Sequence, residues 1–435
     1  ISLVQAWGIE AGSADVIIAI TDGGVQVDHP DLAANVWVNT GEIPGNGIDD
    51  DGNGYKDDIS GWDFLWNDNN PYDDTDFGHG TGESKDSTAE GGNTSGQPGV
   101  CPSCSVMNVR VGDSFVVDAN NWAAGIVYSV DNGAEVLLSA VGSINNTSFS
   151  QAAIEYAYDR GIFNIMSAAD ETAQHQNYPG AVAHAEYVHA IRYDKEDINQ
   201  ATTWVNFSNC TNFGARLTLS ASSTSCSSGA TGMTSGTAGL AASALKDTDL
   251  GPLSGSEIHQ LFIHSVDDVN IATSQTTHAE YNDKLYPSQE GWDAYFGYGR
   301  LSAKKMVDNV LDANIPPEAD ILSPRWWHMI DPTQGNVEIT GEARTNRSDG
   351  EGTWILEYAL GMAPKDGRPV DTTVWKEIAN GSTPAAGVLG SFDPTSIEDF
   401  NPEARIEAYS SFGEEGVADT NVTKADKINR YTITL

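Results

Sequence analysis

Apolar residues run unbroken from Val16 to Ile20 and stop at Thr21-Asp22-Gly23-Gly24. A run of that kind predicts a parallel strand covered on both faces, and the glycines after it predict a sharp turn. Asp22 therefore falls at the carboxyl end of a central strand, the end at which open α/β sheets build their sites. Residues 106–111, 135–141, 161–168 and 187–193 read as further buried strands, with amphipathic helices over 121–132 and 151–160. Strand and helix alternating at this spacing predict βαβ units, hence an α/β domain with a parallel sheet flanked by helices. A short opening helix is expected over 2–7, a helix of small residues over 238–246, and a surface helix over 256–265 with Ser256 in the capping position. Residues 39–76 interrupt this pattern as a long acidic insertion, rich in Gly and Asn and too polar for a core.

At Asn314-Ile315-Pro316-Pro317 the pattern breaks, because paired prolines cannot continue a helix and stiffen a linker. Beyond them the period is two: Trp354, Leu356 and Tyr358 alternate with Ile355 and Glu357, and Tyr431, Ile433 and Leu435 with Arg430, Thr432 and Thr434. Residues 1–315 are thus expected to form the α/β domain and residues 316–435 a small antiparallel β-sandwich, immunoglobulin-like in the broad sense. Trp326-Trp327, just past the linker, are candidates for core or for an interface.

Composition narrows the classes. With 435 residues, 39% of them apolar, and 11 tryptophans, the chain can build a large core. A net charge of −40 excludes a generic binder of nucleic acid and favours cations. No run reaches the ~18 apolar residues a membrane span needs, and with no signal peptide before Ile1 the chain reads as a mature or trimmed product. The cysteines form two local pairs, Cys101 with Cys104 and Cys210 with Cys226. A Cys-x-x-Cys serves redox chemistry or half a zinc site, but no second ligand cluster accompanies it, so structural disulfides and an oxidising, extracellular or cell-surface location are the better reading.

Within the insertion, the stretch from Gly47 to Asp58 places acids at alternate positions of a Gly-bent loop. Calcium takes six to eight oxygens. Asp49, Asp51, Asn53, Asp57 and Asp58, with the Tyr55 carbonyl, can converge on one such ion, and Asp68, Asp73, Asp74 and Asp76 form a looser second candidate.

The chain carries, in order, ITDGGVQVDHPDL, GNGIDDDGNGYKDD, DFGHGTG, PGVCPSCSVMNVRV, NYPGA, GATGMTSGTAGLAA and YFGYGRLSAKK. Together these resemble the subtilisin-like serine proteases, or subtilases, over residues 1–310, in the chain order Asp, His, nucleophile that distinguishes subtilisin from other serine hydrolases. The resemblance implies the Cys101–Cys104 bridge, calcium at the insertion, and Asp22 and His79 as the catalytic acid and base. Matching residues 238–242 to the family's nucleophile helix without a gap puts Thr231 at the serine position, with Ser228 and Ser235 set off to either side. Asp170 stands where the family carries an amide for the oxyanion, and an ionised carboxylate there has no proton to donate. Residues 138–142 depart from the family's substrate strand, which makes Ala140 and Gly142 degenerate binding positions. After His79 the family has a buried apolar helix, whereas Gly82-Glu83-Ser84-Lys85-Asp86-Ser87-Thr88 has no apolar face and is expected on the surface.

Taken together, these features predict a calcium-stabilised subtilase scaffold with a derelict site. The expected function is that of a secreted pseudoprotease, not an enzyme, that binds other protein chains or builds a homo-oligomer or filament. The alternative is an active endopeptidase with an Asp-His-Thr centre.

Overall fold

The computed structural model describes residues 2–75, 77–173, 177–192, 206–207, 210–214, 216–223, 225–269, 291–325, 328, 330–347, 352–358, 376–396 and 431–434. Trp326, Trp327 and Asp76 lie outside the described residues. The chain divides into two units, Ile1–Ile315 and Pro316–Leu435.

In the first unit the order is α1 (Leu3–Trp7), β1 (Ile17–Asp22), β2 (Gly61–Asp63), α2 (His79–Thr88), β3 (Ser105–Arg110), β4 (Val116–Val117), α3 (Ala119–Asp131), β5 (Val136–Ser139), β6 (Gly142–Ser143) and α4 (Ser148–Tyr158). Then come β7 (Phe163–Ser167), β8 (Glu186–Arg192), β9 (Asn206–Phe207), β10 (Leu219–Ser222), α5 (Ser227–Lys246), α6 (Gly255–His264), β11 (Val266–Asp267), β12 (Arg300–Leu301) and α7 (Ala303–Leu311). The main sheet runs β11-β12-β10-β8-β7-β5-β1-β3-β2, with β9 paired to β8. Its central pairs are parallel. From β1 the chain pairs with β3 on one side and then with β5 on the other, so Asp22 ends the strand at which the winding reverses. Such switch points open a crevice at the strand carboxyl ends.

Alternate residues of β1 serve two cores. Ile18 and Ile20 pack in the layer holding Leu240 and Ala241 of α5, Phe262 of α6 and Met306 of α7. Ala19 packs in the opposite layer with Trp122 and Ile126 of α3 and Ile154 of α4. Both cysteine pairs are disulfides, Cys101–Cys104 and Cys210–Cys226.

The structure corrects several expectations. The helix foreseen over 238–246 is the last half of α5, which starts at Ser227. Gly, Ser and Thr in its first turns hide the start from a propensity reading. The cap of α6 is Ser254, not Ser256: Ser254 Oγ accepts the Glu257 N–H at 3.0 Å, and the Glu257 carboxylate accepts the Ser254 N–H at 2.9 Å. The insertion is not wholly outside the core, since β2 joins the sheet edge beside β3 and both Asp58 and Asp63 are buried.

The largest correction is α2, which is a buried helix and not a surface loop. Its hydroxyls need no solvent: Ser84 Oγ donates to Gly80 O at 2.8 Å, Ser87 Oγ to Ser84 O at 3.1 Å, and Thr88 Oγ1 to Ser84 O at 2.8 Å. Back-bonding of this kind satisfies the polar atoms while keeping the face small. A side chain at Gly80 would meet Gly24 O at 2.4 Å, so only glycine lets α2 lie this near the turn after β1.

In the second unit the strands are β13 (Glu318–Ser323), β14 (Val337–Arg344), β15 (Thr353–Tyr358), β16 (Lys376–Ser382), β17 (Ala385–Phe392) and β18 (Tyr431–Thr434). They form two antiparallel sheets, β13-β14-β17 and β16-β15-β18. Ile339, Ala343, Leu389 and Phe392 of the first pack with Trp354 and Leu356 of the second in one core.

Candidate active site

Three elements meet at the crevice. Asp22, 1% exposed, closes β1 and accepts the N–H of Gly23 at 2.7 Å. His79 opens α2, and Asp73 holds the two residues that lead into it: its carboxylate accepts the N–H of Gly78 at 2.5 Å and of Phe77 at 3.2 Å. Ser228 is the second residue of α5, where free helix N–H groups and the positive end of the dipole gather. His79 Nδ1 lies 2.9 Å from each oxygen of Asp22, and His79 Nε2 lies 3.0 Å from Ser228 Oγ. A carboxylate fixing one ring nitrogen and a hydroxyl on the other is the arrangement that turns a serine into a nucleophile.

Thr231 is displaced from that role. It is fully buried and its Oγ1 donates to the Ser227 carbonyl at 2.9 Å, one turn further into α5. Residues 228–231 give the missed signal: Ser-Gly-Ala-Thr at a helix start puts the serine, not the threonine, at the open end.

Burial lowers the pKa of His79, but the Asp22 carboxylate outweighs it, and with Glu83 and Asp170 adding, the imidazole is pushed up to about 9. Glu83 is buried on α2, and its pKa is raised well above the ordinary range by desolvation and then by Asp86. Desolvation also pushes Asp86 up to about 6. Ala169 holds a φ of 65°, a conformation alanine rarely adopts, and the turn delivers Asp170 to the start of α5. There Asp170 Oδ1 accepts the N–H of Ser227 at 2.9 Å and its hydroxyl at 2.5 Å. Asp170 is exposed as a residue, yet desolvation of its carboxylate raises its pKa against those two bonds.

Phe77 and Phe115 flank His79, with ring centroids 6.0 and 5.6 Å from the imidazole, and both are exposed. They give the crevice an apolar rim. Of the expected substrate positions, Ala140 is buried, and Gly142 is drawn into pairing with β4, its N–H donating to Phe115 O at 2.7 Å.

In the insertion, carboxylate oxygens of Glu42, Asp49 and Asp51 lie within 4.8 Å of one another. Sequence reading missed Glu42, which sits outside the spaced loop and organises it by accepting the N–H groups of Asp50 at 2.7 Å and Asp57 at 2.8 Å. Asp57 is used otherwise, accepting the N–H groups of Asn46 at 3.0 Å and Gly47 at 2.8 Å. Asp58 accepts from Tyr128 Oη at 2.6 Å and, together with Asp51, from the amides of Asn39 and Asn53. Of the second acidic group, Asp73 holds the start of α2 and Asp74 pairs with Arg110 at 2.8 Å.

The Subtilase family model matches residues 13–299, and the chain belongs to that family. Thermitase of Thermoactinomyces vulgaris is 34% identical over 199 residues, 45% of this chain and 60% of thermitase. Thermophilic serine proteinase of Bacillus sp. (strain AK1) is 28% identical over 204 residues, 46% of this chain and 45% of that protein. The matched stretch therefore spans about half the length of these relatives. Among solved structures, a lanthipeptide protease superposes with a TM-score of 0.51 at 18% identity, covering 70% of this chain and 90% of that one. It shares the subtilisin-like α/β fold. The expectation of a non-enzyme is overturned: the relatives are proteases, and the serine judged absent stands at Ser228 beside His79.

Proposed function

We propose that the chain is a subtilisin-type serine endopeptidase with Asp22, His79 and Ser228 as its triad. The carrying observation is the unbroken chain of contacts from Asp22 through both His79 nitrogens to Ser228 Oγ, 2.9 and 3.0 Å in length. In this reading Ser228 Oγ attacks the scissile carbonyl while His79 Nε2 takes its proton, and the π pair moves to the carbonyl oxygen. His79 then returns the proton to the leaving amine as the C–N bond breaks. Water, activated by the same imidazole, hydrolyses the acyl enzyme. Asp22 holds the tautomer and stabilises the imidazolium. The Ser228 N–H, at the start of α5, faces the developing negative charge. The exposed Phe77 and Phe115 favour apolar side chains in an extended, unfolded polypeptide.

Calcium belongs to the same proposal. The acids gathered at Glu42, Asp49 and Asp51, with Asn39, Asn53 and Asp58 adjoining, suit a hard cation, which would hold the insertion in place. The disulfides support an extracellular setting, and among the described residues no helix is long and apolar enough to cross a membrane.

The test is hydrolysis of a denatured protein by the parent, Ser228→Ala and Thr231→Ala. Ser228→Ala should lose about 10⁶ in turnover, a magnitude taken from subtilisin itself, while Thr231→Ala keeps most of it. Loss confined to Thr231→Ala would sink the assignment.

A further inference from the structure

Cys226 caps the start of α5, two residues before Ser228, and its side chain makes no capping hydrogen bond. It is bridged instead to Cys210. Two residues beyond Cys210 lies Asn212, fully buried, whose carbonyl accepts the Nδ1–H of the buried His189 at 2.9 Å. Asn212 N–H donates to Ala169 O at 2.9 Å, and its Oδ1 accepts the N–H groups of Glu171 at 3.0 Å and Ala173 at 3.2 Å. The turn held in this way returns to α5 through Asp170, which accepts the N–H of Ser227 at 2.9 Å. A closed ring results, from Asn212 through Ala169 and Asp170 to Ser227, and from Cys226 across the bridge back to Asn212. Ser228 is the next residue along the helix.

The bridge is the covalent link of that ring between α5 and Asn212. The other ties at the helix start are hydrogen bonds, from Ser223 Oγ to Cys226 O at 3.1 Å and between Ser167 Oγ and Ser227 Oγ at 2.6 Å. Each contributes modestly against the fraying of a helix end. The two disulfides also differ in access. Cys101 and Cys104 are fully buried, and a Cβ at Gly12 would fall 2.3 Å from Cys101 Sγ, which leaves a thiol no approach from that side. Cys210 and Cys226 are half-buried, and the neighbouring Ser225 is exposed.

We propose that Cys210 and Cys226 are positioning residues whose bridge is a redox switch on the nucleophile, opened by a reducing dithiol. This rests on the peptidase reading of Ser228. A thiolate of the dithiol attacks one bridge sulfur, the Sγ–Sγ bond breaks and the other cysteine leaves as a thiolate. The second thiol of the dithiol then displaces the first. The dithiol ends as a disulfide and the protein as two thiols, having taken two electrons and two protons from it. With the ring open, the first turn of α5 is no longer tied to Asn212, and Ser228 Oγ leaves its position against His79 Nε2. A displacement of about 1 Å costs on the order of 10² in rate. Phe77 and Phe115 stand outside the ring, so the apolar rim that meets the substrate is unchanged. The peptidase is thereby off in a reducing compartment and on where bridges persist.

The experiment reduces the parent with dithiothreitol and maps the freed thiols by alkylation and mass spectrometry. It follows kcat, KM and the rate at which a phosphonylating reagent labels Ser228, with near-ultraviolet circular dichroism reporting the fold. A Cys210→Ser, Cys226→Ser variant is measured alongside, at a temperature where it is folded. We expect Cys210 and Cys226 to be alkylated before Cys101 and Cys104. The rate of labelling and kcat should fall by about 10² while KM stays within about twofold, and reoxidation should restore both. The variant should run at the reduced rate with or without dithiothreitol. Selective opening of Cys210–Cys226 in a folded protein with kcat and labelling unchanged would overturn the switch. Activity lost only in step with the fold, in the reduced parent or in the variant, would mark a stability staple and overturn it too, as would Cys101–Cys104 opening first. A parent that neither hydrolyses the peptide nor is labelled at Ser228, even fully oxidised, defeats the peptidase reading and this inference with it.

Discussion

At the residue scale, His79 is held by charge more than by shape. Its imidazole takes both oxygens of Asp22 at 2.9 Å while Glu83 and Asp170 add a field of the same sign. Its pKa in the folded state, about 9, exceeds the ordinary histidine value, so the ion pair stabilises the fold fully below that ordinary value and its contribution disappears as pH rises through about 9. The melting temperatures of the parent and of His79→Ala should differ most at about pH 6 and converge toward pH 10. A difference constant across that range would mean that His79 adds only packing. Sequence reading placed Asp22 at a strand end, where the structure has it, because an apolar run and a glycine turn are local signals; His79 came only from the resemblance, and the helix it opens was read as surface. The serine was lost because its cue is positional. Counting back from the small-residue helix at 238–242 moves along a repeat of Gly, Ala, Ser and Thr in which a three-residue slip still matches. Three residues is nearly a full turn, so Thr231 faces a similar direction but lies about 4.5 Å deeper along the axis.

At the element scale, the pairing of α2 with α5 sets where His79 and Ser228 meet. A Cβ at Gly232 would fall 2.8 Å from Asp86 Cβ and 3.1 Å from Glu83 Oε2, so the two helices approach as closely as glycine permits. Glu83 and Asp86 face this seam, and Glu83 Oε2 is buried without a hydrogen-bond partner among the described residues. A seam built of small residues and hydroxyls has no apolar stripe, which is why α2 reads as surface from periodicity alone. The carboxyl groups make it sensitive to pH. Both folded-state pKa values are raised, so the unfolded chain ionises first; the seam is most stable in acid, and that stability is lost as pH climbs through about 6 at Asp86 and through the raised pKa of Glu83. Glu83→Gln should raise the melting temperature by on the order of 3 °C at about pH 8 and leave it unchanged near pH 4. Equal melting temperatures of parent and variant at both values would rule out an ionisation cost in the seam.

At the scale of the whole molecule the acid excess dominates. A net charge of −40 repels itself in the folded state, and added salt relieves this by shortening the Debye length from ~10 Å at 0.1 M to ~3 Å at 1 M. The centre of the wound sheet is legible from the chain, since its long strands and the helices α3 and α4 show their apolar runs and periods, whereas two-residue strands such as β11 and β12 cannot. The cation site is only half legible: spacing marks Asp49 and Asp51, but Glu42 joins them through folding and no spacing rule reaches it. Screening and specific binding make different predictions for the same protein. Screening depends on ionic strength alone, whereas an ion held only by the folded state stabilises it by about 2.7 kcal/mol at a hundredfold excess over Kd. Calcium should therefore raise the melting temperature beyond sodium chloride of matched ionic strength, and beyond magnesium, which gives up its water reluctantly and suits a wide carboxylate cluster less well. In an Asp49→Asn, Asp51→Asn variant the calcium-specific increment should vanish while the response to sodium chloride persists. If calcium and matched sodium chloride raise the parent equally, the cluster is an ordinary acidic loop and screening alone explains its stability. If the increment survives the double substitution, the ion is held elsewhere in the chain.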